Sequence, residues 1–106
     1  MHTVTHTSQY DNTLYQLGIG FGEYTNGQTR IQLYDLEDGL PYCTATISVE
    51  QKLSEGEVAI KNYSENVGIL QSLVSAGVIE KPHSFIETGY VTIPLCKLKV
   101  SLTTGA

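Results

Sequence analysis

A chain of 106 residues with six Lys and Arg against eleven Asp and Glu, and a formal net charge of −5, holds one domain around one core and leaves no room for a separate substrate domain. The surplus of negative charge disfavours direct nucleic-acid binding and attraction to anionic membranes. No apolar run reaches the length of a membrane span, and the start MHTVTHTSQY has neither the basic opening nor the apolar centre of a signal peptide, so the expectation is a cytoplasmic protein whose Cys43 and Cys96 are reduced.

In chain order, residues 1–12 are polar and Thr-rich without periodicity and read as a flexible or edge N-terminal arm. Residues 13–98 carry the folded α+β domain, and residues 99–106 a C-terminal tail or edge strand. From Leu14 the pattern changes: Leu17, Ile19 and Phe21 alternate with Gly18, Gly20 and Gly22, so one strand face is apolar and the other nearly bare backbone. After the turn at Thr25-Asn26-Gly27, Ile31 and Leu33 alternate with Arg30, Gln32 and Tyr34. Residues directly opposed in an antiparallel pair share a face, so parity selects the turn. A three-residue loop opposes Phe21 to Ile31 and Ile19 to Leu33, whereas a two-residue Asn-Gly loop mixes the faces. Centring the next connection, LEDGL, on Asp38 opposes Leu33 to Cys43 and Ile31 to Ala45, with Tyr34 facing Tyr42. The third strand then runs from Tyr42 to Val49, sending Cys43, Ala45, Ile47 and Val49 inward and Tyr42, Thr44, Thr46 and Ser48 outward.

Val58 and Ile60 form a short strand before the only strongly helical pattern. Asn62 and Glu65 have capping-box spacing, with Ser64 as the competing cap, and this local chemistry also accounts for the Asn62-Tyr63-Ser64 sequon. Val67, Leu70, Leu73 and Val74 recur at helical intervals, which predicts one helix over about Glu65 to Ala76 with that stripe on the sheet. Gly77 followed by Val78 is a helix stop. A late strand, Gly89 to Leu95, turns Val91, Ile93 and Leu95 inward and Tyr90, Thr92 and then Cys96 outward. Pro94 marks it as an edge strand or one ending in a bulge. The expected fold is a mainly antiparallel sheet of about five strands with one helix on one face, its inward residues including Ile31, Leu33, Ile47, Ile60 and Ile93.

The segments IQLYDLEDGLPYCTATISV, EVAIKNYSENVGILQSLVSAGVIE and TGYVTIPLCKL resemble a domain-of-unknown-function family of small bacterial proteins carried by phages, plasmids and conjugative elements. The resemblance spans about residues 30–98 and rests on Y-S-E-N-x-G, A-G-V-I-E and P-L-C-x-L. It brings no catalytic residues. What it implies is an accessory gene of mobile DNA, a setting in which many short acidic proteins inhibit host defence, as anti-CRISPR or anti-restriction proteins do.

No catalytic, metal or cofactor site is expected. His2 and His6 lack a third ligand on a fixed element. Cys96, His83 and Glu87 have the chemistry of a nucleophile, base and carboxylate, but packing is the commoner role of such thiols. Gly18, Gly20 and Gly22 lack the helix and lysine that a phosphate loop needs. The residues that stand out are tyrosines, seven of nine aromatics. Parity puts Tyr34, Tyr42 and Tyr90 with Thr44, Thr46, Thr92, Gly18 and Gly20 on the face away from the core. Rings lying over glycine backbone stabilise a sheet, and the same weakly charged face suits contact with another protein or a second copy of this chain. The alternative is a small-ligand site or minor enzyme between helix and sheet, near Asn62, Tyr63, Ser64 and His83.

Overall fold

A computed structural model describes residues 3–9 and 11–99, apart from the side chain of Glu65. Within these residues the strands are β1 (Val4–Thr7), β2 (Leu14–Glu23), β3 (Thr29–Asp35), β4 (Pro41–Thr44), β5 (Glu57–Ala59), β6 (Ser84–Glu87) and β7 (Thr92–Lys97), and the helix α1 is Ile69–Ser75. The α+β class with a single α-helix holds; one sheet of about five strands does not. The strands form a four-stranded sheet, β1-β2-β3-β4, and a three-stranded sheet, β5-β7-β6, with every pair antiparallel.

The split has a local cause. The expected Tyr42–Val49 strand leaves β3 after Ala45, whose N–H still donates to Ile31 O at 2.8 Å, and hands its pairing to the end of β5 and the residues that follow it. Ile47 N donates to Ala59 O at 3.0 Å, Lys61 N donates to Ala45 O at 2.8 Å, and Thr46 bridges Ile60. Thr46 is the joint. Its buried Oγ1 accepts the Ile31 N–H at 3.0 Å, which no strand carbonyl takes there, and lies 3.2 Å from the Tyr24 hydroxyl.

Two sheets make two cores. Val4, Leu17, Ile31, Leu33, Ala45, Val58, Ile60, Ile69, Leu73, Val78, Ile79 and Cys96 form the main cluster, and Ala59, Ile93 and Leu95 a second one packed by Ile47, Val49, Leu53, Tyr63, Ile86 and Val91. β7 is therefore the central strand of its sheet, apolar on both faces, and not an edge. Pro94 is accommodated because its missing N–H faces the point where the β5 ladder stops; its carbonyl still accepts Ile60 N–H at 3.0 Å. Cys96 does lie on the opposite face from Ile93 and Leu95, but that face is the main core instead of solvent.

The β2–β3 hairpin has the three-residue loop, with Phe21 opposite Ile31 and Ile19 opposite Leu33. Tyr24 N donates to Gln28 O at 2.8 Å, which closes it. In β3–β4 the register is Leu33 opposite Cys43 but Tyr34 opposite Pro41, a one-residue bulge that absorbs Tyr42. The turn is tighter than one centred on Asp38, since Asp35 N donates to Leu40 O at 2.9 Å. Asp35 and Asp38 hold it by accepting the N–H of Glu37 and Leu40, each at 2.9 Å.

The helix is shorter than the apolar stripe predicts. Ser64–Asn66 is a single 3₁₀ turn; Val67 is extended at ψ 126°, and Gly68 is left-handed at φ 93° before α1 begins. Asn62 does cap, at longer range than capping-box spacing: its Oδ1 accepts Gly68 N–H at 3.2 Å and Leu70 N–H at 3.0 Å. The side chain of Glu65, the expected reciprocal partner, lies outside the described residues. At the other end Gly77 is left-handed at φ 77°, Val78 N donates to Leu73 O at 3.0 Å and Gly77 N to Val74 O at 3.1 Å, the Schellman pair of bonds.

The first twelve residues contain β1, the edge strand of the larger sheet, with Val4 and His6 buried. Just before the tail Leu98 bridges Ile79; of the tail, Lys99 N donates to Val78 O at 2.9 Å and residues 100–106 lie outside the described residues, as does His2 of the His2–His6 pair.

Candidate functional site

The outer face of β2 and β3 is built as the glycine alternation requires. A Cβ on Gly18 would stand 2.9 Å from Leu36 Cδ2, one on Gly20 would stand 3.0 Å from Tyr34 Cε2, and one on Gly22 would stand 2.8 Å from Arg30 Nη2. Three side chains thus lie flat on bare backbone, an arrangement that side chains at those positions would obstruct. Tyr34 over Gly20 is the aromatic-on-glycine contact expected from sequence. Leu36 and Arg30 do the same work without an aromatic ring.

The other residues named from sequence do not gather there. Tyr42, displaced by the bulge, turns to the core side: its ring centroid is 4.6 Å from Tyr15 and 5.9 Å from His6, and burial pushes its phenol pKa up. Tyr90 belongs to the other sheet, fully exposed at the tip of the β6–β7 hairpin, where Tyr90 N donates to Thr88 Oγ1. Thr92 is beside that tip and donates to Glu87 Oε1 at 2.9 Å. Thr44 stays on the outer face, its hydroxyl donating to Gln32 Oε1 at 2.7 Å, whereas Thr46 is buried in the joint. Tyr34, Thr44, Gly18 and Gly20 remain together. Exposed apolar side chains mark this end: Leu36 over Gly18 and Tyr34 over Gly20, Leu14 sharing a hollow of about 370 Å³ with Leu36, and Leu40 exposed in the turn that follows. Leu36 and Leu40 carry no periodic signal, because they belong to the turn rather than to a strand.

His6 is the residue that sequence reading missed. Its ring is buried, and its Nδ1 is 2.8 Å from Ser72 Oγ on α1. Ser72 Oγ also donates to Gly68 O at 3.2 Å. Both bonds coexist when a neutral imidazole donates from Nδ1 and the serine oxygen accepts. That polarity is opposite to a base activating a nucleophile, and the pair pins β1 to α1. Alternation of Val4 and His6 in VTHT was the available signal. Burial lowers the His6 pKa.

Cys96, His83 and Glu87, weighed from sequence as a nucleophile, base and carboxylate, are not brought together. His83 Nε2 pairs with Glu57 Oε2 at 2.8 Å, Glu87 accepts from Thr92, and Cys96 is buried, its thiol pKa pushed up to about 11 by desolvation. Neither cysteine is in a disulfide. Titration of the native protein with an aromatic disulfide reagent should therefore modify the half-buried Cys43 first and Cys96 only on unfolding; two thiols reacting equally fast would contradict this packing.

Among the described residues no three His, Cys, Asp or Glu side chains converge to hold a metal ion, and no helix is long and apolar enough to cross a membrane. Of the alternative ligand site, Asn62 is occupied in capping α1 and His83 in its contact with Glu57, while Tyr63 and Ser64 line a groove with Tyr24, Arg30, Thr44 and Lys61. No family model, curated protein or solved structure matches the chain.

Proposed function

We propose that the chain is a small non-enzymatic protein-binding module, an accessory of mobile DNA that acts in the cytoplasm by occupying a component of a host defence system, of the anti-CRISPR or anti-restriction type. The observation that carries the binding part is the exposure of Leu14, Tyr34 and Leu36 on the outer face of the larger sheet, with Leu36 and Tyr34 over Gly18 and Gly20 and Leu14 and Leu36 lining one hollow. Scattered apolar residues are ordinary on a surface, but contiguous ones around an aromatic ring are the composition of an interface centre. The mobile-DNA part rests on the resemblance of residues 30–98.

The test is protection. Expressed in bacteria carrying a CRISPR or restriction system, the protein should raise the survival of incoming targeted DNA, and the immobilised chain should capture a stoichiometric component of that system. Tyr34→Ala with Leu36→Ala should weaken capture by about 30-fold or more, the scale of a lost anchoring aromatic, and Lys97→Ala with Lys99→Ala should leave it intact. Because Tyr34 also covers Gly20, the double variant must first melt cooperatively. A folded double variant that captures and protects as well as the parent removes this face from the proposal.

A further inference from the structure

Where the larger sheet starts, β2 outruns β3. Their pairing begins with Leu17 opposite Asp35, and before it only the Leu36 N–H reaches across, to Gln16 O at 3.0 Å. Main-chain groups of a strand alternate in direction, so those of Leu14 point to the same side as those of Gln16, where the chain has already turned away. The gap is the hollow of about 370 Å³ lined by Leu14 and Leu36. These leucines are 61% and 49% exposed, so the hollow has an apolar mouth beside an unpaired strand edge.

Its charge has one sign. Asp35 and Glu37 line it, and no Lys, Arg or His does. Asp35 Oδ1 accepts the Glu37 N–H at 2.9 Å, whereas the Glu37 carboxylate has no hydrogen bond or ion pair with the described residues. On the β2 side Asp11 Oδ1 accepts the N–H of Thr13 at 3.0 Å, and Thr13 lines the hollow. Carboxylates therefore flank the apolar mouth from both sides.

We propose, on the protein-binding reading of this face, that the hollow takes an extended segment of another protein in which a branched apolar side chain is flanked by Lys or Arg. The apolar side chain fills the space between Leu14 and Leu36, and the segment's main chain bonds the free edge at Leu14 by strand addition. Its cations meet Asp11 and Glu37. Acids alone would stay solvated; their placement around an apolar hollow selects a basic flank over a neutral one. A second copy of this chain fits poorly, because a two-fold contact through this face sets the same carboxylates against themselves on chains that each carry −5.

Titration of the ¹⁵N-labelled protein with a pentapeptide blocked at both termini, with leucine at its centre and lysine at its ends, tests this. Saturable amide shifts are expected at residues 13–16 and 35–37. Replacing the lysines with glutamate, or the leucine with alanine, should weaken binding about tenfold or more, and so should Leu14→Ala and Glu37→Lys. Glu55→Lys changes the net charge equally but lines a different hollow, and should leave binding unchanged. Raising the salt from about 0.05 to about 0.5 M should weaken it several-fold. Folded Leu14→Ala and Glu37→Lys variants that bind like the parent, equal affinity for the glutamate peptide, or shifts centred on another hollow would overturn the proposal. So would a dimer, seen in sedimentation, that Leu14→Ala dissociates, since the face would then serve a second copy. Capture of a defence component that Tyr34→Ala with Leu36→Ala abolishes and Glu37→Lys leaves intact would keep the docking face and overturn the basic segment. Peptide binding as expected, without protection of targeted DNA, would support the basic segment and overturn only the defence role.

Discussion

Leu73→Ala lowers the unfolding free energy by about 2–5 kcal/mol, whereas Val67→Ala changes it by less than about 0.5 kcal/mol. Both belong to the apolar stripe that predicts a helix from Glu65 to Ala76. They differ in the fold, because Leu73 is fully buried in the main cluster and Val67 is 44% exposed ahead of Gly68. Truncating Leu73 opens a cavity beneath a helix of seven residues, which is too short to persist without its packing. Urea unfolding with unchanged m-values measures the difference. Similar losses from the two substitutions would mean that the helix runs unbroken through Gly68.

His6→Ala should cost about 2–4 kcal/mol at pH 8, since it removes a buried ring, its edge contact with Tyr42 and the hydrogen bond to Ser72 together. The parent should also lose stability on acidification. Burial lowers the His6 pKa from its ordinary value of 6.5, so the unfolded chain binds the proton more readily than the folded one. Stability from this source is complete above 6.5 and declines as pH falls below it toward the lowered folded value. Calorimetric melting between pH 8 and 5.5 should show that decline in the parent and a shallower one in His6→Ala. An equal slope in both would place the titrating group elsewhere.

Both residues show where a one-dimensional pattern stops. The helix stop at Gly77 was legible because a Schellman turn is made by consecutive residues, and the Asn62 cap was legible as a residue though not as a spacing. Gly68 inside the stripe was the visible sign of the break, since glycine in a helix interior costs about 1 kcal/mol relative to Ala. The exposed apolar face was half legible: Tyr34 over Gly20 follows from alternation, but Leu36, Leu40 and the displacement of Tyr42 depend on how tightly Asp35 and Asp38 close their turn. His6 looked like part of a polar arm because a four-residue strand of two Thr, one Val and one His has no propensity signal of its own. It is buried by the helix that arrives more than sixty residues later.

By itself the sequence determined what neighbours along the chain can decide: the three-residue β2–β3 loop, the pairing of Phe21 with Ile31, the alternating sides of β2, β3 and β7, and the glycine that ends α1. Only the tertiary structure decided what each side meets. Cys96 falls opposite Ile93 and Leu95, as alternation requires, but alternation says only that two faces exist. Whether the second face meets water or a core depends on the handover from β4 to β5 at Thr46, which divides the strands into two sheets and buries β7 between two apolar clusters. That outcome is set by long-range packing, to which a period of two residues is blind.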